Sequence, residues 1–322
     1  MISCQELHGL MAMMPAFTTE DGDQVTATQT VDVGRLEAGV DKLVAAGVDS
    51  ITTTGSFGET SNLLMNEFDI LARATVETVK RRVPVIIGCT GVHTREAVEK
   101  IRIAEDAGAD GVIVGIPYYF PSTVENAVNF YQEIGSLFPK LGILIYHNPT
   151  IHHVTLPVSA FTAISRIKNV VGMKDSHRTP LAFMELMDIV RGKISIFVQQ
   201  AQYYPYAELG AAGFWSIDVW MGPEPLLLLR DSVAAGDTTT AISIVKEISA
   251  HRRGPEPLSW REMGHKIAVR YAGYCDPGPL RPPFSVVPED IKQRLKARAA
   301  HWRELCAKYG PLVAEANARQ SA

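Results

Sequence analysis

The sequence predicts an α/β protein built as a closed (β/α)8, or TIM, barrel with a C-terminal helical extension. From residue 48 to about residue 218 one unit recurs: a short β-branched apolar run, a turn marked by Gly or Pro, then an amphipathic stretch of helical period. Strands that alternate with helices imply a parallel sheet. Eight such units fit within about 235 residues, and no Gly-x-Gly-x-x-Gly follows the first strand, so a closed barrel is favoured over an open doubly wound sheet.

In chain order the strands are expected at Leu10–Ala16, Val48–Thr54, Pro84–Thr90, Gly111–Pro117, Gly142–Asn148, Val170–Asp175, Ile194–Gln199 and Gly213–Ile217. Helical segments lie between them. At Thr94–Ala107, Thr94 is placed to cap, and Glu96 and Glu99 lie near the positive end of the dipole. The stretches AAGVD at 45–49 and DAGAD at 106–110 repeat one device, a helix closed by a glycine before the next strand. After about Pro223 the strand pattern stops, and helical patterns interrupted by RRGPEPLS (252–259) and CDPGPLRPP (275–283) run to the end. The organisation expected is a catalytic barrel over residues 1–235 and an extension of about three helices, residues 236–322, packed on it. No low-complexity linker divides the chain.

Composition limits the function. A chain of 322 residues with 46% hydrophobic content can bury one large core. The formal charge is −4 and Lys and Arg are scattered, which argues against a nucleic-acid or anionic-membrane partner. Cys4, Cys89, Cys275 and Cys306 are far apart with no CxxC spacing, the usage of reduced thiols in a cytosolic protein. The opening MISCQELHGLMAMMPAF has no basic region followed by a sustained apolar one, and no later run approaches the roughly 20 apolar residues of a membrane span. A cytoplasmic enzyme is the expectation.

In such a barrel, polar residues at the C-terminal ends of strands face the catalytic mouth. The second strand ends in Thr54-Gly55-Ser56-Phe57-Gly58-Glu59, a tight turn whose amides and hydroxyl suit a carboxylate. The fifth ends in Tyr146-His147-Asn148-Pro149, and the two-residue strand period puts Tyr146 and Asn148 on one face with His147 on the other. The sixth ends in Gly172-Met173-Lys174-Asp175, a lysine in an otherwise apolar strand. Desolvation disfavours an ammonium and so favours the neutral amine that attacks a ketone; the alternative is a lysine ion-paired with Asp175. Trp215 on the eighth strand either lines the mouth or packs in the core, and Tyr119 after the fourth either joins it or packs its own loop. Adjacent His152 and His153 point apart on an extended chain and lack a matching carboxylate, so no metal is expected there. His8, His93, His177, His251 and His265 carry no pattern of their own.

Together, Gly55-Ser56-Phe57-Gly58-Glu59, Tyr146-His147-Asn148-Pro149 and Gly172-Met173-Lys174-Asp175 resemble, in order and spacing, the three signatures of the dihydrodipicolinate synthase and N-acetylneuraminate lyase superfamily. The resemblance implies a Schiff base between Lys174 and pyruvate, a proton-shuttling Tyr146, and a pyruvate carboxylate held by the turn through Gly55, Ser56 and Phe57. It implies no cofactor beyond that covalent adduct, and a homo-oligomer, a tetramer by preference. Synthases of lysine biosynthesis usually carry two threonines in the turn and an arginine shortly after the tyrosine motif. Here those places read Ser56-Phe57 and Thr150-Ile151-His152-His153, which argues against that activity.

Phe57, Asn148, Phe214-Trp215-Ser216 and the tail Pro277-Gly278-Pro279-Leu280-Arg281-Pro282-Pro283-Phe284 look like the hydratase-aldolases of aromatic degradation, of the trans-o-hydroxybenzylidenepyruvate and 2'-carboxybenzalpyruvate type. The implied substrates are pyruvate and an aromatic aldehyde, with Asn148 placing water or a hydroxyl and Phe57, Tyr119 and Trp215 walling the ring. That family usually has a tryptophan where this chain has Tyr119. A sugar-acid aldolase or dehydratase, or a dihydrodipicolinate-synthase-like lyase, is the alternative within the superfamily; the former would want more polar groups in the mouth. A non-catalytic keto-acid sensor is the alternative outside enzymes, and retention of lysine, tyrosine and turn together argues against it.

Overall fold

A computed structural model describes residues 1–250 and 258–320. Eight parallel strands close into a barrel in sequence order: β1 Gly9–Met13, β2 Ser50–Thr52, β3 Val85–Gly88, β4 Gly111–Val114, β5 Gly142–Tyr146, β6 Val170–Lys174, β7 Ser195–Gln199 and β8 Gly213–Ser216. β8 returns to pair with β1, so no sheet edge remains. Every residue of β1 to β6 is buried, as expected of strands covered on both faces.

The helices, in chain order, are α1 Val33–Ala45, α2 Met65–Val79, α3 Thr94–Asp106, α4 Val124–Leu137, α5 Pro149–His152, α6 Phe161–Ile164, α7 Pro180–Val190, α8 Tyr203–Tyr206, α9 Glu224–Ala234, α10 Thr238–Ser249, α11 Leu258–Ala272 and α12 Glu289–Gln320. α1 and α3 end as the repeated motif requires: Gly47 and Gly108 stand just beyond them at φ 96° and 83°, a region costly for any residue with a Cβ. The cap of α3 differs from expectation. His93, not Thr94, is the N-cap, and its Nδ1 accepts from the Glu96 amide at 3.1 Å.

The strands are shorter than their apolar runs. β2 covers Ser50–Thr52 within the expected 48–54, because Thr54 already has φ 42° and leaves the extended region. β5 stops at Tyr146, and Asn148 is the N-cap of α5, so strand alternation does not reach it.

Among the described residues, four α-helices, α9 to α12, follow β8. α12 is tied to the barrel end by Trp302 Nε1, which donates to the Gly222 carbonyl at 2.9 Å, and by the ion pair of Arg298 with Asp218. Most of the interruption RRGPEPLS, and His251, lie outside the described residues. All four cysteines are free thiols. Among the described residues no helix is long and apolar enough to cross a membrane.

Candidate active site

The barrel register brings the two reactive side chains together. Tyr146 and Lys174 are paired neighbours at the ends of β5 and β6. Both are almost fully buried, and Lys174 Nζ lies 4.3 Å from the centroid of the Tyr146 ring and 3.7 Å from that of Trp215. Trp215 is half-buried; its Nε1 donates to the Asp175 carbonyl at 3.3 Å, which fixes the indole over the lysine. The Tyr146 hydroxyl lies 3.0 Å from Ser56 Oγ, so the Gly-rich turn reaches the same point.

The alternative of a Lys174–Asp175 ion pair is not what forms. Asp175 points away from Lys174, to His177 Nδ1 at 2.8 Å and Arg178 Nε at 2.7 Å. Burial by itself would raise the Asp175 carboxyl, but His147, His177 and Arg178 outweigh it and hold it well below the usual carboxylate range. His147 lies on the opposite face from Tyr146, as alternation requires, with Nδ1 3.5 Å from Asp175 Oδ1. Leu156 closes this cluster. Its amide donates to His147 Nε2 at 3.0 Å, and its carbonyl accepts from Arg178 Nη2 at 2.8 Å.

His147, Asp175 and His177 offer ligand atoms within 4.8 Å of one another, which would suit a metal by spacing. The protonation pattern argues otherwise. His147 Nε2 already accepts a hydrogen bond, burial keeps the ring neutral, and its one proton therefore sits on Nδ1, the atom facing Asp175. With Arg178 on the other carboxylate oxygen, the group is an ion network that holds the strand end carrying Lys174.

The Gly-rich turn is shaped from behind. Thr54 and Glu59 have φ 42° and 50°, and a Cβ on Gly58 would meet Thr54 backbone atoms at 2.7 and 2.8 Å, so the turn is tight and strained. What holds it is Glu59, fully buried, whose Oε2 meets Lys266 Nζ at 2.6 Å and Arg281 Nη1 at 2.8 Å. Oε1 accepts from the Arg281 amide at 2.9 Å. Arg281 also donates to Thr18 Oγ1 at 2.9 Å and Thr30 Oγ1 at 2.7 Å, and Lys266 bonds Thr18. Burial, only partly offset by Glu59, lowers Lys266 to about 8.

Of the sequence candidates, Gly55, Ser56, Tyr146, Lys174 and Trp215 come together, a Cβ on Gly55 falling 3.9 Å from the Tyr146 ring. Asn148 is adjacent in sequence but out of the strand, half-buried, with its carbonyl accepting from the His152 amide at 2.9 Å. Phe57 is buried in the turn with its ring edge-on to His265 on α11, centroids 6.4 Å apart. Tyr119 stands apart: it is 69% exposed, edge-on to Phe120, and lines an outer cavity with Val92, His93 and Phe130 rather than with Lys174.

Residues without a sequence pattern prove to be close to the site. His152 is buried edge-on to Tyr146, with ring centroids 4.9 Å apart. His177 joins Asp175, and Lys266 and Arg281 join Glu59. Only Arg281, inside the quoted tail motif, and His152, inside the histidine pair, carried any signal at all.

Burial, with repulsion from Lys174 and His147, lowers His152 to about 3. As the pH falls from about 6.5 towards 3, the unfolded chain therefore takes up a proton that the folded chain refuses, and stability declines across that window. His152→Phe is expected to lessen the decline, read as a flatter dependence of Tm on pH between those limits. An unchanged profile would contradict the buried, neutral setting.

Residues 17–301 match the Dihydrodipicolinate synthetase family. The chain is 29% identical to the trans-O-hydroxybenzylidenepyruvate hydratase-aldolase of Pseudomonas aeruginosa, over 96% of each chain. It is 26% identical to the trans-2'-carboxybenzalpyruvate hydratase-aldolase of Nocardioides sp. strain KP7, over 98% of each. Among solved structures, PhdJ bound to a substrate intermediate superposes with a TM-score of 0.89 at 27% identity, covering 96% of this chain and 99% of that one. With a closed eight-stranded barrel and a family match spanning most of its length, the chain belongs to the dihydrodipicolinate synthetase family and is a lyase of its aldolase type.

Proposed function

We propose that the protein is a class I pyruvate hydratase-aldolase that cleaves or forms an arylidene pyruvate, an α-keto acid conjugated through an alkene to an aromatic ring. The observation that carries this reading is Lys174 Nζ between the Tyr146 and Trp215 rings, with the Tyr146 hydroxyl beside Ser56.

Attack of the Lys174 amine on the ketone, with uptake of one proton and loss of water, gives an iminium conjugated to the alkene. It withdraws electrons from the benzylic carbon, where water adds with loss of a proton; the resulting enamine takes up a proton on the carbon next to the imine carbon, which restores the iminium. Tyr146 then takes the proton of the new hydroxyl, the carbon–carbon bond breaks, the aryl aldehyde leaves, and its electron pair remains as an enamine on Lys174. Protonation and hydrolysis free pyruvate. The iminium is the electron sink that a divalent ion provides in other aldolases, so the scheme needs no metal.

Tyr146 works as a relay, with Ser56 Oγ 3.0 Å away as the next oxygen. The Gly55-Ser56-Phe57 turn holds the carboxylate, and Asn148 places the attacking water. Within one chain the aryl wall falls to Trp215, since the Phe57 ring turns to His265 and Tyr119 lies on the surface. The working unit we infer is a homotetramer, carried over from the resemblance, and its place is the cytoplasm, from the scattered, unpaired cysteines.

A screen of aromatic aldehydes with pyruvate, followed by the absorbance of the conjugated product, tests the substrate class. Trp215→Ala is expected to lower the ratio of kcat/KM for benzaldehyde-type over aliphatic aldehydes by about tenfold or more, because a well-packed aromatic wall is worth a few kcal/mol. An unchanged ratio would leave Trp215 as a cover for Lys174 and favour a sugar-acid substrate.

A further inference from the structure

His152 stands against the Tyr146 ring. Its imidazole meets the phenol ring at 84° with centroids 4.9 Å apart. The space it fills exists because residue 115, just beyond β4, is glycine: a Cβ there would lie 2.8 Å from His152 Nδ1 and closer still to Cε1 and Nε2. The backbone at Gly115 cannot give way easily, since its amide donates to Thr90 Oγ1 at 2.9 Å and the neighbouring Val114 carbonyl accepts from Tyr131 at 3.1 Å.

The segment carrying His152 is fastened on both sides. The His152 amide donates to the Asn148 carbonyl at 2.9 Å, and Leu156 is clamped by His147 and Arg178. The imidazole thus sits between the Gly115 backbone and the Tyr146 phenol.

From this geometry we infer that His152 is a positioning residue for Tyr146, an imidazole wedge seated in the gap at Gly115 that holds the phenol oxygen at the distance its proton transfer needs. The inference rests on the reading that Tyr146 moves the proton. The wedge acts by shape: the ring is neutral at working pH and neither gives nor takes the reacting proton.

Two readouts separate the steps without any aldehyde. Borohydride trapping of pyruvate reports Schiff-base formation on Lys174, and exchange of the pyruvate methyl protons with D2O reports proton transfer. A misplacement of the order of 1 Å costs on the order of ten- to a hundredfold in rate. His152→Ala should therefore slow exchange about tenfold or more while trapping stays within about twofold of wild type. His152→Phe, which keeps a flat ring and cannot ionise, should restore exchange and leave the shape of the kcat–pH profile unchanged. Gly115→Ala, which drives the ring towards the phenol, should reproduce the His152→Ala split, and it decides the matter if His152→Ala does not fold.

Exchange at the wild-type rate in His152→Ala or Gly115→Ala would overturn the wedge. So would trapping and exchange falling together, or a His152→Phe enzyme as slow as His152→Ala with one limb of its pH profile gone. Tyr146→Phe that exchanges normally would overturn the Tyr146 reading and the wedge with it. A wild type that traps and exchanges but cleaves no arylidene pyruvate would overturn the substrate class alone.

Discussion

Lys174→Ala is expected to abolish the borohydride-trapped pyruvate adduct and to lower kcat by at least about a thousandfold, since the covalent route loses its nucleophile and no neighbouring group can replace it. The wild type should gain the mass of a reduced pyruvate adduct on the peptide containing Lys174. The folded protein should survive the change. Lys174 is 5% exposed and, among the described residues, its contacts are with two aromatic faces rather than a counter-ion, so truncation leaves no buried charge behind. An adduct on Lys168 or Lys193, or substantial turnover in the folded variant, would sink the assignment.

The second large effect concerns the turn. Among the described residues, Glu59 is the carboxylate that faces both Lys266 and Arg281, at 2.6 and 2.8 Å, and all three are buried. Glu59→Ala leaves two buried cations without a counter-charge, and breaking a buried pair from one side costs about 3–5 kcal/mol. That is a large share of the roughly 5–15 kcal/mol that holds a typical domain together. Lys266→Met is far milder, about 1–2 kcal/mol, because Arg281 and Glu59 remain as a balanced pair and Thr18 Oγ1 keeps its bond from Arg281. Denaturant melts of the two variants decide it. If Lys266→Met proved the more destabilising, the charge count would be wrong. The same network predicts where weakened catalysis would show: a loosened turn holds the pyruvate carboxylate less well, so a folded Glu59→Gln should raise the KM for pyruvate before it lowers kcat.

These two expectations differ in how they could have been reached. The barrel was legible along the chain because its period is local: an apolar strand run and a helix closed by glycine, as at Gly47 and Gly108, repeat within a few dozen residues. Lys174 was legible for the same reason, being a lysine at the end of the apolar run Val170–Met173, and Tyr146 by its place at the end of another. The turn at Gly55–Glu59 announced itself by two glycines. What local pattern could not supply was any contact made across the barrel. Glu59 meets Lys266 and Arg281 more than 200 residues later, and Asp175 faces His147 from the neighbouring strand end. Periodicity states which face a residue occupies only while the strand lasts, so Asn148, two residues past Tyr146, lay beyond its reach. His152 read as half of a histidine pair, because the gap it fills belongs to Gly115 on a different strand end. The order and type of the elements are short-range properties of the chain. The partner of each buried charge and the place of each ring are set by barrel closure, which brings distant residues within a few ångströms where an unpaired charge or an empty space would be costly.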